Sequence, residues 1–156
     1  MDKAQINIRK ALRDDVPEIV RIISDNSLGA SREDYRDDLP QSYYDAFDII
    51  SRDHHQLLIV SEIAGKIVGT LQISYLSNMS VRGASRALIE GMHVDSKCRS
   101  LGVGSYMMQW VIAEAKAKGC NIAQLTSNKQ RRDAHRFYAK HGFVATHEGF
   151  KLDLSN

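Results

Sequence analysis

The feature that most constrains the fold is a strand-like segment followed by a glycine-containing loop and a long helix. Residues 86–94 have the pattern of a strand, residues 95–101 that of a loop, and residues 102–118 carry apolar residues at helical spacing. Loop and helix join at Arg99-Ser100-Leu101-Gly102-Val103-Gly104. Glycines at a helix start allow close approach of a ligand, and unpaired first-turn N–H groups attract phosphate. The segment is a candidate pyrophosphate cradle, with a simple chain turn as the alternative.

Two other phosphate-binding motifs are excluded at this position. A dinucleotide fingerprint needs a third glycine where this chain has Met107. A Walker A loop needs a Gly-Lys-Ser/Thr ending, which is missing here. A nucleotide-binding module is therefore disfavoured.

The remaining patterns place this segment in a mixed α/β domain. Their order is β, α, α, β, β, β, α, β, α, β, and the length of 156 residues fits one domain over residues 1–156. We predict strands over 6–12, 122–126 and one or two within 143–154, a hairpin of 56–63 and 67–75, helices over 15–26 and 131–141, and one broken or two short helices within 31–53.

Composition indicates a globular protein. Hydrophobic residues make up 43% and charged residues 26% of the chain, with only two prolines. No apolar run approaches the roughly 18 residues of a membrane-spanning helix, and the N-terminus lacks the apolar core of a signal peptide. We expect a cytoplasmic protein, no metal site, and reduced thiols at Cys98 and Cys120.

Charge is unevenly distributed along the chain. The net charge of +2 is too small to indicate nucleic acid, but residues 24–53 hold eight acidic residues against three arginines. Residues 93–151 hold ten lysines and arginines against four acidic residues. A polyanionic ligand would favour the second region and a cationic one the first. Solvated helix faces are the alternative reading of both.

Two segments resemble one enzyme family. The run ALIEGMHV, then DSKC and RSLGVG before a long helix, is similar to the coenzyme A-binding motif of Gcn5-related N-acetyltransferases (GNAT). The segment TSNKQRRDAHRFYAKHGF resembles that family's C-terminal motif. Within the family, these segments are most similar to aminoalkylphosphonate acetyltransferases, which does not identify the substrate. The resemblance implies a mostly antiparallel central sheet flanked by helices, acetyl-CoA as cosubstrate, and possible homodimers.

The resemblance also implies which residues hold acetyl-CoA. Backbone groups of β-strand residues would pair with the pantetheine arm as an added strand and polarise the thioester carbonyl, while loop amides would hold the pyrophosphate. Asn128 would contact the arm or a bound water. The strand residues are Met92, His93 and Val94, and the loop residues are Arg99, Ser100, Leu101, Gly102, Val103, Gly104 and Ser105.

Glu90 is the candidate general base. On a regular strand Leu88, Met92 and Val94 share its face, so the carboxylate would lie on an otherwise apolar surface and His93 on the opposite one. A carboxylate desolvated in that way is suited to general-base chemistry at neutral pH. In the family, a Glu at this place deprotonates the acceptor amine directly or through water. An edge position or a structural ion pair is the alternative.

Tyr138 is the candidate general acid. Its place on the apolar side of the last helix predicts a packed aromatic. The matching family tyrosine is placed beside the thioester sulfur and protonates the leaving thiolate.

These features predict acetyl transfer to a small-molecule or peptide amine by direct attack in a ternary complex. Cys98 as an acyl carrier is disfavoured by its place beside the phosphate loop. The alternative from another class is a non-catalytic acyl-CoA-binding regulatory domain of the same fold, and the presence of both Glu90 and Tyr138 argues against it.

Overall fold

Five strands build the sheet that positions the candidate site. The computed structural model describes residues 5–155, and its strands lie across the sheet in the order of the sequence. From β1 to β4, each strand pairs antiparallel with the next. The strands are β1 (Ile6–Lys10), β2 (Gln56–Ile63), β3 (Lys66–Leu76), β4 (Arg86–Val94) and β5 (Ile122–Leu125).

The helix boundaries follow local signals. Asn26 caps the second helix by accepting a hydrogen bond from the Gly29 N–H at 2.7 Å, and Pro40 precedes the third. Gly119, with φ of 77°, follows the end of the fifth. The helices are α1 (Val16–Ser24), α2 (Ser27–Arg32), α3 (Gln41–Arg52), α4 (Ser80–Gly83), α5 (Val103–Ala117) and α6 (Arg132–Lys140).

Helices cover both faces of the sheet. Val60 is fully buried in a cluster with residues of α1 and with Phe47 of α3. Its neighbour Ser61 points to the other face, where its hydroxyl contacts Met107 Sδ of α5 at 3.3 Å. The sheet is therefore the middle layer between α1 and α3 on one face and α5 on the other.

The core under α5 is the most completely buried part of the sheet. Leu71, Ile73 and Ala87 are each 0% exposed, as are Met107 and Met108 on the helix. Full burial of a side chain such as Leu or Met contributes about 1.5–3 kcal/mol. This packing gives β3 and β4 a rigid support for residues on their opposite face.

The chain divides into two compact units, which meet in sequence after Gln124. The second unit contains α6 and residues 141–155. The predicted strands within 143–154 are absent from the described residues, so that prediction is wrong. The apolar residues Phe150, Leu152 and Leu154 are more than four-fifths exposed. A strand needs a hydrogen-bonded neighbour, and residues 143–155 have none in the described chain.

Within 31–53 the structure has one full helix, α3, together with only the last two residues of α2, so the prediction of one broken or two short helices there is wrong. The remaining element predictions are confirmed to within a few residues, and the hairpin turns at Ala64 and Gly65. The mixed α/β class with a mostly antiparallel sheet is also confirmed. The single domain over 1–156 stays a prediction. Within residues 5–155, no helix combines the length and apolarity needed to cross a membrane.

Candidate active site

A β-bulge interrupts β4 beside the candidate base. The register pairs Gln72 with Glu90 and Thr70 with His93, so β4 has two residues, 91 and 92, where β3 has one. Residue 91 is a glycine with φ of 58°, a left-handed conformation that glycine adopts without steric cost. The bulge therefore shifts the alternation of side chains along β4.

The bulge places Glu90 and His93 on the same face. Gln72 and Thr70 are two residues apart on β3 and share a face, so their partners on β4 share it too. The prediction that His93 lies opposite Glu90 is wrong, because it assumed a regular strand. His93 is half-buried and makes a further interaction with the protein.

Glu90 lies on a polar and open part of the sheet. Its side chain is exposed, and its cross-strand neighbour is the half-buried Gln72. The predicted burial on an apolar face is therefore wrong. No hydrogen bond or ion pair to the Glu90 carboxylate comes from the part of the chain that the structure describes. The carboxylate is available to a group that enters from solvent.

The C-terminal half of β4 extends beyond β5. The Asn121 N–H donates to the Ser85 carbonyl oxygen at 2.9 Å, and β5 has only four residues after that point. Strands advance by similar distances per residue, so β5 ends about level with Ile89. Residues 92–94 therefore lie past the end of β5, which leaves their edge unpaired with that strand. This geometry fits the predicted pairing of Met92, His93 and Val94 with a pantetheine arm.

The start of α5 has the geometry of an anion cradle. Gly102 is the N-cap residue with φ of 83°, Ser100 has φ of 69°, and no side chain caps the helix. Among residues 5–155, no acceptor is hydrogen-bonded to the N–H groups of Val103 and Gly104. A Cβ built on Gly102 would meet nothing within 4 Å. Free amides facing open space fit the pyrophosphate of acetyl-CoA.

Arg99 ties this loop to α1. Its guanidinium donates to the Asp25 carbonyl oxygen at 2.9 Å, and the Asp25 carboxylate accepts from the Ser96 N–H at 3.0 Å. This backbone contact leaves other guanidinium N–H groups for a phosphate. Leu101 is 41% exposed in the same loop. Two hydrogen bonds between Asp25 and the loop, one from the Ser96 N–H and one from Arg99, thus fix the loop conformation. Neither bond uses the first-turn N–H groups of α5.

A cavity of about 480 Å³ adjoins the loop before the cradle. Arg21 pairs there with Asp95 at 2.5 Å and with Glu18 at 2.6 Å. These ion pairs engage three of the charged residues that line the cavity, and Lys66 is a further cation of its wall. Lys97 also lines it and leaves a cation next to the phosphate loop.

The second unit presents Asn128 at a turn before α6. The Asn128 Oδ1 accepts from the Gln130 N–H at 2.9 Å, and its carbonyl oxygen lies 2.9 Å from His135 Nε2. The side-chain oxygen is thereby committed to the turn, and the amide NH₂ stays available as a donor. The adjacent Ser127 Oγ is buried without a partner in the described residues.

Tyr138 packs as predicted, with its ring edge-on to Phe137 and Phe143 at centroid distances of 5.5 and 6.2 Å. Burial raises the pKa of Tyr138, and Arg131 lowers it to a smaller extent. The phenol is therefore protonated at neutral pH, which a proton donor requires. Within residues 5–155 its hydroxyl has no hydrogen-bond partner.

Comparison with known proteins identifies the family. The model of the acetyltransferase (GNAT) family matches residues 23–143, more than half of the chain. The chain belongs to the GNAT acetyltransferase family. Aminoalkylphosphonate N-acetyltransferase of Salmonella typhimurium is 28% identical to this GNAT chain over 119 residues, which are 73% of the chain and 73% of that protein.

Two solved structures extend the comparison. A protein of Bacillus halodurans C-125 described as a transcriptional regulator has a TM-score of 0.93 and 42% identity, covering 96% of this GNAT chain and 99% of its own. A predicted acetyltransferase from Clostridium acetobutylicum, solved with acetyl-CoA, has a TM-score of 0.72 and 22% identity, covering 96% of each chain. The second likeness shows the fold alone.

Cys98 is unsuited to carry an acyl group in this GNAT chain. Burial and then the charge of Asp95 raise the pKa of the Cys98 thiol, although Arg21 and Lys97 lower it in part. A thiol is a nucleophile only as the thiolate, so this environment disfavours attack by sulfur.

Sequence reasoning missed a hydrogen-bonded glutamine pair beside Glu90. The Gln72 amide NH₂ donates to Gln56 Oε1 at 2.8 Å, and the Gln56 NH₂ donates to Asp53 Oδ2 at 2.7 Å. The available signal was the polar alternation of Thr70, Gln72 and Ser74 in β3. Their connection to Glu90 depends on the register of three strands, which local patterns do not specify.

Proposed function

We propose that this GNAT chain transfers the acetyl group of acetyl-CoA to a primary amine by direct attack in a ternary complex. The observation that carries the proposal is the continuity of β4 with the start of α5. The strand presents the open carboxylate of Glu90, and the chain then runs into the uncapped helix start at Gly102. The reaction needs an acyl donor and a base held close together. The cradle at the start of α5 would hold the donor, and β4, which leads into it, carries the base.

The cradle and the β4 edge would bind acetyl-CoA together. Amides within residues 99–105 would hold the pyrophosphate, except that of Leu101, which donates to the Cys98 carbonyl oxygen at 3.3 Å. Residues 92–94 would pair with the arm along the edge that extends beyond β5. The Asn128 side-chain NH₂ supplies a further donor for the arm or a water. Acetyl-CoA would bring the activated acyl group.

Glu90 and Tyr138 would carry out different proton transfers in the reaction. Glu90 accepts one proton of the acceptor ammonium, directly or through water, and so frees the lone pair that forms the new C–N bond. The β4 N–H groups stabilise the charge that develops on the thioester oxygen. Tyr138 donates its proton to the sulfur as the C–S bond breaks. It regains a proton that the nitrogen loses, so an ammonium and a thioester give an amide, a thiol and one free proton.

The acidic stretch of residues 24–53 contributes less to acceptor attraction than its composition suggests. Asp34 pairs with Arg36 at 3.5 Å, and Asp48 pairs with Arg13 at 3.3 Å. These pairs neutralise part of the field within the protein itself. Groups close to Glu90 are therefore expected to select the acceptor.

A thiol-release assay tests the proposal. Acetyl-CoA is mixed with the protein and, in separate reactions, with spermidine, an aminoglycoside, an aminoalkylphosphonate, glucosamine 6-phosphate and a peptide with a free N-terminus. The proposal predicts free thiol and an acetylated product that both depend on one of these amines. Thiol release that is independent of every amine would mean hydrolysis and would contradict it.

The Bacillus halodurans likeness favours one second candidate. A 42% identical protein described as a transcriptional regulator motivates the reading of this chain as an acyl-CoA-binding regulatory domain. That reading predicts calorimetric binding of acetyl-CoA with no turnover for any amine. Conversion of any one amine at a rate that falls in Glu90→Gln would exclude it.

A further inference from the structure

A chain of three side chains leads from the end of α3 to the cross-strand neighbour of Glu90. Asp53 is the C-cap residue of α3, Gln56 begins β2, and Gln72 lies in β3. The Gln56 NH₂ lies 2.7 Å from Asp53 Oδ2, and the Gln72 NH₂ lies 2.8 Å from Gln56 Oε1. All three residues are half-buried, so the chain lies along the sheet rather than in free solvent.

The charge of Asp53 sets the direction of both amides. Hydrogen bonds from Gln56 and from the His55 N–H lower the pKa of Asp53, so its side chain is an ionised acceptor at neutral pH. A carboxylate only accepts, which requires the Gln56 NH₂ to face it. Gln56 then offers its oxygen to Gln72, and Gln72 must turn its own NH₂ toward Gln56.

This orientation leaves the Gln72 carbonyl oxygen as the unused group. Across residues 5–155, no donor reaches Gln72 Oε1. Gln72 pairs with Glu90 in the β3–β4 register, and the side chains of such a pair stand about 5 Å apart at their Cβ atoms. A neutral oxygen acceptor and a carboxylate therefore stand side by side with no described cation between them.

Two adjacent acceptors select a ligand with two donors on one atom. An ammonium offers one N–H to each oxygen, whereas an anionic group would be repelled by Glu90 and an ether or ester oxygen would bring no donor. After Glu90 has taken one proton, a second N–H can still donate to Gln72. The lone pair is then held in one direction while the C–N bond forms.

We propose that Gln72 Oε1 and the Glu90 carboxylate bind the acceptor nitrogen together, and that Asp53 and Gln56 are positioning residues that keep the Gln72 oxygen turned toward it. The inference rests on the proposed acetyl transfer and names its acceptor subsite. Gln72 binds substrate, whereas Asp53 acts only through the two amides.

The first test replaces Gln72 by Met, which keeps the length and removes the acceptor. With the best amine of the thiol-release panel, kcat/KM for the amine should fall about 10-fold or more, the usual effect of losing a hydrogen bond to a charged group. KM for acetyl-CoA should not change. The matched control is Gln109→Met, because Gln109 is an exposed glutamine on α5.

The second test measures whether Asp53 acts through Gln72. Asp53→Asn removes the charge that fixes the direction of the amides, and kcat/KM for the amine should fall about threefold. In the Gln72→Met background the same change should have no effect, because no oxygen remains to be turned. Calorimetric affinity for coenzyme A and the thermal unfolding midpoint confirm that each variant is folded.

The outcomes separate this inference from the proposed function. Wild-type turnover with an unchanged kcat/KM in Gln72→Met, or equal effects of Asp53→Asn in both backgrounds, would overturn the subsite and leave acetyl transfer intact. Absence of turnover in the wild type for every amine, with acetyl-CoA bound, would overturn the proposed function, and this inference would fall with it.

Discussion

Substitution of Gly102 by Ala separates the cradle's role in binding from its role in folding. Gly102 caps α5 with φ of 83°, and an added Cβ would meet no atom within 4 Å. In the free protein the cost is therefore backbone strain, about 1–2 kcal/mol for an L-residue in this region. The lower entropy of the unfolded chain offsets about 0.4–1 kcal/mol of that cost. We expect a net loss of about 1 kcal/mol, which corresponds to about 2–4 °C in Tm.

Gly119 provides a matched control at the other end of the same helix. Its φ is 77°, and a Cβ there would also meet nothing within 4 Å. Gly119→Ala should lose a similar amount of stability by the same mechanism. Only Gly102→Ala should weaken coenzyme A, by about 10-fold or more, because its methyl group separates a phosphate from the first-turn amides.

Calorimetric titration with coenzyme A and thermal unfolding of both variants measure the two effects. Equal affinity of the two variants for coenzyme A would refute the cradle. A loss of stability confined to one of them would refute the strain argument. A selective loss of affinity with matched losses of stability is the predicted result.

Three further predictions address catalysis and packing. Glu90→Gln should lower kcat at neutral pH by about 10²-fold with unchanged coenzyme A affinity, and a pH–rate profile identical to wild type would make Glu90 structural. Tyr138→Phe should keep the fold and slow turnover by about 10- to 10²-fold, less as pH rises because an expelled thiolate then needs no proton; full activity across neutral pH would reduce Tyr138 to a packing residue. Gly69→Ala should destabilise the protein by about 1–3 kcal/mol, since its Cβ would stand 2.6 Å from Ser61 Oγ and 2.7 Å from Met107 Sδ; an unchanged Tm in thermal unfolding would contradict this.

Features set by local chemistry could be predicted from the sequence. The start of α5 at Gly102 follows from glycine placement and apolar spacing within a few residues. The hairpin from Gln56 to Leu76 follows from alternation around a glycine turn. Family membership followed from these same local segments, because the coenzyme A motif is continuous in sequence.

Features set by pairing between distant strands could not be predicted. The common face of Glu90 and His93 depends on the bulge at Gly91, and the bulge is a property of the β3–β4 register. Apolar and polar residues alternate within 143–154 as in a strand, but alternation alone does not provide the neighbouring strand with which hydrogen bonds must form. The link from Asp53 to Gln72 joins residues that only the folded sheet brings together.

Initial-rate kinetics with both substrates varied tests the central claim most directly. Once an amine acceptor has been found, thiol release is measured over a grid of acetyl-CoA and amine concentrations. Direct transfer in a ternary complex predicts intersecting double-reciprocal lines and no acetylated protein when acetyl-CoA is added alone. Parallel lines, together with an acetyl group retained on the protein, would contradict the account, because they would require an acyl-enzyme that the environment of Cys98 disfavours.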